Sequence, residues 1–320
     1  MLKMPGRVPG FFNFSGFCRL LEVRMRSVFT LLLIAGTAIS CLGQAAPSIQ
    51  STSGLRLVVA QEDNDPALHV VLPSRPDTDR TIYVLFPEHV TVRKAGENDA
   101  KHLYMFRPGS AGQVTAWRKT ASALEYERDF EGGIHLLARA ILENDGVRFR
   151  YEFTNKSESA YEMLYAPTDP RLTGIFHDVR LERTYVHRAQ GFDLLASETP
   201  ERLSMPLNQW LPARYLDSFT WPVPKKLIER RDDITYYNNS RPVDEPLIAT
   251  VSSDRKWVVA SFAATTGNVW SNPELTCQHV DPEKRLAPRA TATVEIKILV
   301  FQGSLDEALQ KTIAQRELLQ

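Results

Sequence analysis

Val147, Phe149, Tyr151 and Phe153 alternate with Arg148, Arg150, Glu152 and Thr154. Successive side chains of a strand point to opposite faces, so this segment has one apolar face and one wet face. Ile134 to Leu142 is a second apolar run upstream, and Asn144-Asp145-Gly146 lies between the two. Asp-Gly tolerates positive φ, so the pair reads as a hairpin. Val294, Ile296, Ile298 and Val300 repeat the pattern near the end of the chain. Further strands are expected at 55–60, 69–72, 82–86, 90–93, 104–107, 114–118, 125–130, 179–186, 192–196, 247–251 and 257–263. Turn signals such as Pro87-Glu88, Pro108-Gly109 and Ser253-Asp254 separate many of them. Many short strands with frequent turns mean a mainly β fold, a large antiparallel β-sandwich, and not a βαβ arrangement.

One helix is expected, over 304–319. Ser304 can cap it and Glu307 completes a capping box, with Leu305, Ala308, Leu309, Thr312 and Ile313 on one stripe. The stretch 198–246 holds seven prolines, from Pro200 to Pro246. Proline interrupts sheet ladders, so this stretch is expected as an irregular excursion from a single domain spanning 46–320. It also carries Trp210, Tyr215, Trp221, Tyr236 and Tyr237, which argue against disorder.

Residues 1–45 stand apart. From Met25 the chain has Arg26, an apolar run from Val28 to Ile39, and Gly43-Gln44-Ala45-Ala46. That order is a secretory signal with a small-residue cleavage site, and the run is too short to span a bilayer. Met25 is therefore read as the working start, and the protein is expected to be exported, periplasmic or extracellular. Lipidation at Cys41 is the lesser reading, because Ala38 stands where the usual lipobox has Leu. The whole chain carries 38 basic and 38 acidic side chains; five of the basic and one of the acidic fall within 1–45. The remainder thus has a net charge of about −4 and no long run of like charge. A general nucleic-acid binder needs a basic face, so none is expected. Cys18 and Cys41 fall in the leader, which leaves Cys277 without a partner for an internal disulfide.

Chemistry is narrowed mainly by absence. The chain has no Walker A segment, no Gly-x-Gly-x-x-Gly, no Gly-x-Ser-x-Gly elbow, no His-Glu-x-x-His and no Cys-x-x-Cys. No cofactor is expected. Glycosidases, lyases and epimerases remain, because their carboxylates and histidines come from distant strands. The richest constellation is 265–282. Trp270 can stack on a sugar face, and Asn268, Asn272, Gln278, His279 and Asp281 can ring it with donors and acceptors. The bland account makes Trp270 core and the Asn and Asp residues turn formers. His279 and Asp281 can share one face of a strand for proton transfer; a metal would need further ligands, so none is expected. His177, beside Asp178, and His187 are the other acid–base candidates. Arg180, Arg183 and Arg188 around His177 and His187 read as a solvated strand face; a basic face beside a pocket, the lesser reading, would instead suit an acidic saccharide. His69, His89, His102 and His135 are assigned no role. Trp210 or Trp221 would act as a lid.

Gly146-Val147-Arg148-Phe149-Arg150-Tyr151-Glu152-Phe153-Thr154-Asn155-Lys156-Ser157 resembles the central strand of the galactose-mutarotase-like superfamily of β-supersandwiches. The closing stretch, Pro288 to Gly303 followed by a short helix, is similar as well. The resemblance covers about residues 50–310 in shape but only these two segments in sequence. It implies a concave, carbohydrate-facing surface. It does not carry over catalysis: the family's His-Pro-Tyr-like acid segment is absent, and neither Glu274 nor Glu295 can be matched to its late Glu base. The resulting expectation is an exported carbohydrate-binding protein with a part in polysaccharide processing. A sugar epimerase or lyase using His279 or His177, and a non-catalytic cell-envelope interaction protein, are the alternatives.

Overall fold

The computed structural model describes residues 45–60, 65–105, 115–199 and 212–320. Among these residues the strands form three sheets, of ten, nine and four strands. The protein is mainly β, with large antiparallel sheets and one C-terminal helix, Leu305–Arg316. In the nine-stranded sheet, Gly146–Asn155 lies between Ile134–Glu143 and Thr291–Gln302. Asp145-Gly146 makes the tight connection, with Gly146 facing Glu143. A Cβ at Gly146 would sit 2.0 Å from the Ile298 carbonyl oxygen, so only glycine fits there.

Alternation sets the two faces of this sheet. Val147, Phe149, Tyr151 and Phe153 are fully buried in one apolar core with Leu68, Val70, Val84 and Val269 of the ten-stranded sheet. On the other face Arg139, Glu152, Arg150, Glu295, Arg148 and Glu143 form a ladder of ion pairs. The helix packs on that outer face, where Ala308 joins Leu299, Phe262 and Ala260.

Three expectations need correction. Residues 213–238 are not purely irregular: Ala213–Ser218, Ile228–Arg231 and Ile234–Asn238 are strands of the ten-stranded sheet. Ala213–Ser218 pairs antiparallel with Asn268–Asn272 and parallel with Ile234–Asn238. The prolines at 222, 224, 242 and 246 fall outside these strands and punctuate them. The strand expected over 179–186 is Thr184–Arg188 instead. The Asp178 carboxylate accepts from the backbone N–H groups of Glu182 and Arg183, which holds the preceding residues in a turn. Nor is Arg188 solvated: it is buried against Asp217 at 2.8 Å.

Candidate functional site

Three adjacent strands of the ten-stranded sheet make the floor of a cleft of about 270 Å³. Leu216 lies opposite Trp270, and Trp270 opposite His279, so these three side chains form a row across Ala213–Ser218, Asn268–Asn272 and Cys277–Val280. Arg214 and its register partner Tyr236 extend the floor on one side, and Asn268 and Asp281 on the other. The four-stranded sheet supplies a wall through His89, His102 and Tyr165. Trp221 closes the rim. Its backbone N–H donates to the Gly267 carbonyl, as do those of Phe219 and Thr220, at 2.9–3.1 Å. A Cβ at residue 267 would come within 2.2 Å of the indole, so Gly267 is what lets the ring sit there.

His279 and Asp281 do share a face. His279 Nδ1 lies 2.9 Å from Asp281 Oδ1, and both residues are buried. A carboxylate can only accept, so the Nδ1–H donates, and in the neutral ring Nε2 is then the acceptor. Nε2 is buried and has no hydrogen-bond partner among the described residues. The half-buried Trp270 ring stands edge-on to the imidazole, with centroids 3.9 Å apart. The Asp281 N–H donates to Thr266 Oγ1 at 2.8 Å, and the Thr266 hydroxyl donates to the Asn268 carbonyl, which ties the dyad to the neighbouring strand.

The wall carries a second pair of imidazoles. His89 and His102 meet edge to face, 4.5 Å between centroids. His102 Nδ1 is 2.7 Å from the Thr91 hydroxyl, its cross-strand partner. Partial burial, with His89 alongside, pushes the His102 pKa below its ordinary value. Glu88 lies behind, 3.7 Å from His89 Nδ1, and that neighbour holds its carboxyl below the usual range. Deeper still, burial and the nearby Glu88 raise the pKa of Asp169, although Arg171 Nε is only 3.1 Å away.

Of the residues singled out from sequence, Asn268, Trp270, His279, Asp281 and Trp221 line the cleft together. Gln278 does not. It occupies the opposite face of its strand, where it accepts from Thr250 Oγ1 at 2.8 Å and donates to the Val259 carbonyl. Asn272 is buried at the strand end beside Cys277 and is not part of the cleft lining. His177 follows a short 3-10 turn, Gly174–Phe176, and is exposed away from the cleft lining. Trp210 lies outside the described residues.

His89, His102, Tyr165 and Arg214 were missed. The contribution of His89 and His102 depends on how the small sheet folds against the large one, and no local spacing signals that. His135 is also partnered, with Nδ1 2.9 Å from Asp129. Among the described residues no cluster of three or more His, Cys, Asp or Glu side chains is placed to hold a metal ion. No helix among them is long and apolar enough to cross a membrane.

No family model matches the chain, and no curated protein matches it in sequence. Solved structures with galactose-mutarotase-like descriptions are similar to it in shape. One is a putative aldose 1-epimerase from Escherichia coli K12, at 11% identity and a TM-score of 0.40, covering 81% of this chain and 99% of that one. Another is a galactose mutarotase-like protein from Lactobacillus casei, at 12% identity and 0.43, covering 80% and 100%. An aldose epimerase homologue from C. elegans stands at 8% and 0.41, covering 81% and 99%. Similarity at this level assigns no activity and no site residue to this chain.

Proposed function

We propose that this protein binds a saccharide in the cleft floored by Trp270. The observation that carries the reading is the composition of its lining. Trp270, Trp221, Tyr165 and Tyr236 present ring surface for the apolar face of a pyranose, while Arg214, His89 and His102 present polar groups for its hydroxyls. An interaction surface would be flatter and more uniformly apolar. In a calorimetric and thermal-shift screen of the chain from Ala46, a saccharide is expected to raise the melting temperature, because it stabilises only the folded state. Trp270→Ala is expected to weaken that binding roughly 10- to 100-fold, from the loss of about 1.5–3 kcal/mol of apolar contact. Binding that survives the substitution unchanged would refute the assignment.

A second reading is catalytic, and the buried dyad favours it. A His279 oriented by Asp281, with Nε2 unpartnered, has the form of a proton-transfer group for an epimerase or lyase. His279→Ala is then expected to lower turnover about 10²–10⁴-fold with little change in affinity. Equal turnover in the variant would leave binding as the function. The signal-like order of residues 25–46 supports an exported site of action. N-terminal sequencing of protein recovered outside the cytoplasm tests it, with a start near Ala46 expected.

A further inference from the structure

The cleft does not end at its wall. His102 lines the cleft and also lines a second hollow, of about 180 Å³, with Tyr104, Arg128, Asp129, Phe130 and Glu131. Strand register makes the two continuous. In the four-stranded sheet Tyr165 lies opposite Thr91, Thr91 opposite His102, and His89 opposite Tyr104. Paired residues and residues two apart share a face, so Tyr165, His89, His102 and Tyr104 stand on one side of this sheet. Their rings follow one another. Tyr165 is 6.4 Å from His89 between centroids, His89 is 4.5 Å from His102, and His102 is 6.3 Å from Tyr104. The row begins at the half-buried Tyr165 inside the cleft. It ends at Tyr104, which is 64% exposed on the outermost strand of the sheet, Lys101–Tyr104.

A single exposed tyrosine needs no explanation, but this one continues a line of rings out of a cleft and into a second hollow. Ring surfaces set in succession suit a chain of pyranose units, each of which carries an apolar face. The hollow also offers groups for hydroxyls. Lys156 donates to Asp129 at 2.8 Å and His135 at 2.9 Å, and together they hold its carboxyl below the usual range, so it is an ionised acceptor at neutral pH. The described residues that line the cleft and the hollow include two cations, Arg214 and Arg128, and three carboxylates, Asp281, Asp129 and Glu131. With the imidazoles neutral, that balance leaves no surplus of positive charge for an acidic sugar. We propose that the site takes a neutral oligosaccharide of at least two units, the first on Trp270 and the next passing over His102 toward Tyr104.

The inference rests on the saccharide reading above, and the experiment separates the two. Affinities are measured by calorimetry for glucose, galactose, mannose and xylose, their linear dimers and trimers, and the matching uronic acids. A neutral oligomer is expected to bind about tenfold more tightly than its monomer, from the added ring contact. Acidic oligomers should gain less. Tyr104→Ala should bring the neutral oligomer to within about twofold of the monomer. The ligand-free melting temperature should not change, because the side chain is exposed. Tyr104→Phe keeps the ring and should keep the gain. Equal affinity for monomer and oligomer, an equal or larger gain in the acidic series, a gain that survives Tyr104→Ala, or one lost in Tyr104→Phe would each overturn the proposal while the cleft reading stood. No binding of any monomer or oligomer would overturn both.

Discussion

Asn155 shows how one side chain can decide a local structure. It is fully buried; its amide donates to the Ser159 and Ala287 carbonyls at 2.7 and 3.0 Å, and its oxygen accepts from the Ser157 N–H and hydroxyl. The Asn-x-Ser segment is therefore a staple across the end of the central strand. Asn155→Ala leaves buried polar groups unpaired and is expected to cost about 2–4 kcal/mol, measured by urea unfolding. Asp217 acts in the opposite sense. Burial lifts its pKa to about 6 even though Arg188 lies 2.8 Å away. The folded protein then binds a proton that the unfolded chain does not, between about pH 6 and the ordinary aspartate value of 3.8. That group's contribution to stability must rise as pH falls through this window, by up to about 3 kcal/mol at the low end. Asp217→Asn removes the titration, so the difference in stability between wild type and variant is expected to change between pH 7 and 4.5. A difference that stays flat over that range would contradict the account.

At the scale of elements, the C-terminal helix is set by its ends and its ions. Ser304 accepts from the Glu307 N–H, while the Glu307 carboxylate accepts from the Ser304 N–H at 2.7 Å. Asp145, in the central hairpin, receives Lys297, Gln315 and the more distant Lys311. Ser304→Ala is expected to lower stability by about 1 kcal/mol, seen as a shift in the denaturant midpoint with no change in slope. This helix was legible from its capping box, as Gly146–Asn155 and Thr291–Gln302 were from alternation, because a local pattern sufficed. The strands between 213 and 238 were not: short and bounded by prolines, they exist because Asn268–Asn272 offers Ala213–Ser218 an edge to pair with. The site was half legible for the same reason. His279, Asp281 and Trp270 sit on neighbouring strands close in sequence, whereas His89 and His102 reach the cleft only through the small sheet. Gln278 was misplaced because hydrogen-bonding capacity was read without the face: a residue one step from His279 on a strand must point into the core.

At the scale of the whole molecule, the floor of the cleft and the middle of the core are the same sheet. Cys277 makes that link measurable. It begins the Cys277–Val280 strand that carries His279, it is buried, and burial together with the nearby Asp169 raises its thiol pKa far above the ordinary value. A thiol without access or thiolate character does not react, so labelling requires the strand to open. In the chain from Ala46, where Cys277 is the single cysteine, the melting temperature is expected to be indifferent to reductant. The native thiol should resist a disulfide reagent until denaturant is added. A saccharide that binds the folded state lowers the open population by the factor 1 + [L]/Kd, so labelling should slow about 100-fold at a ligand concentration 100 times Kd. Labelling that is fast in the native protein would mean that the floor opens without unfolding the core. Labelling that is slow but unmoved by a bound ligand would mean that the ligand sits elsewhere than on this sheet.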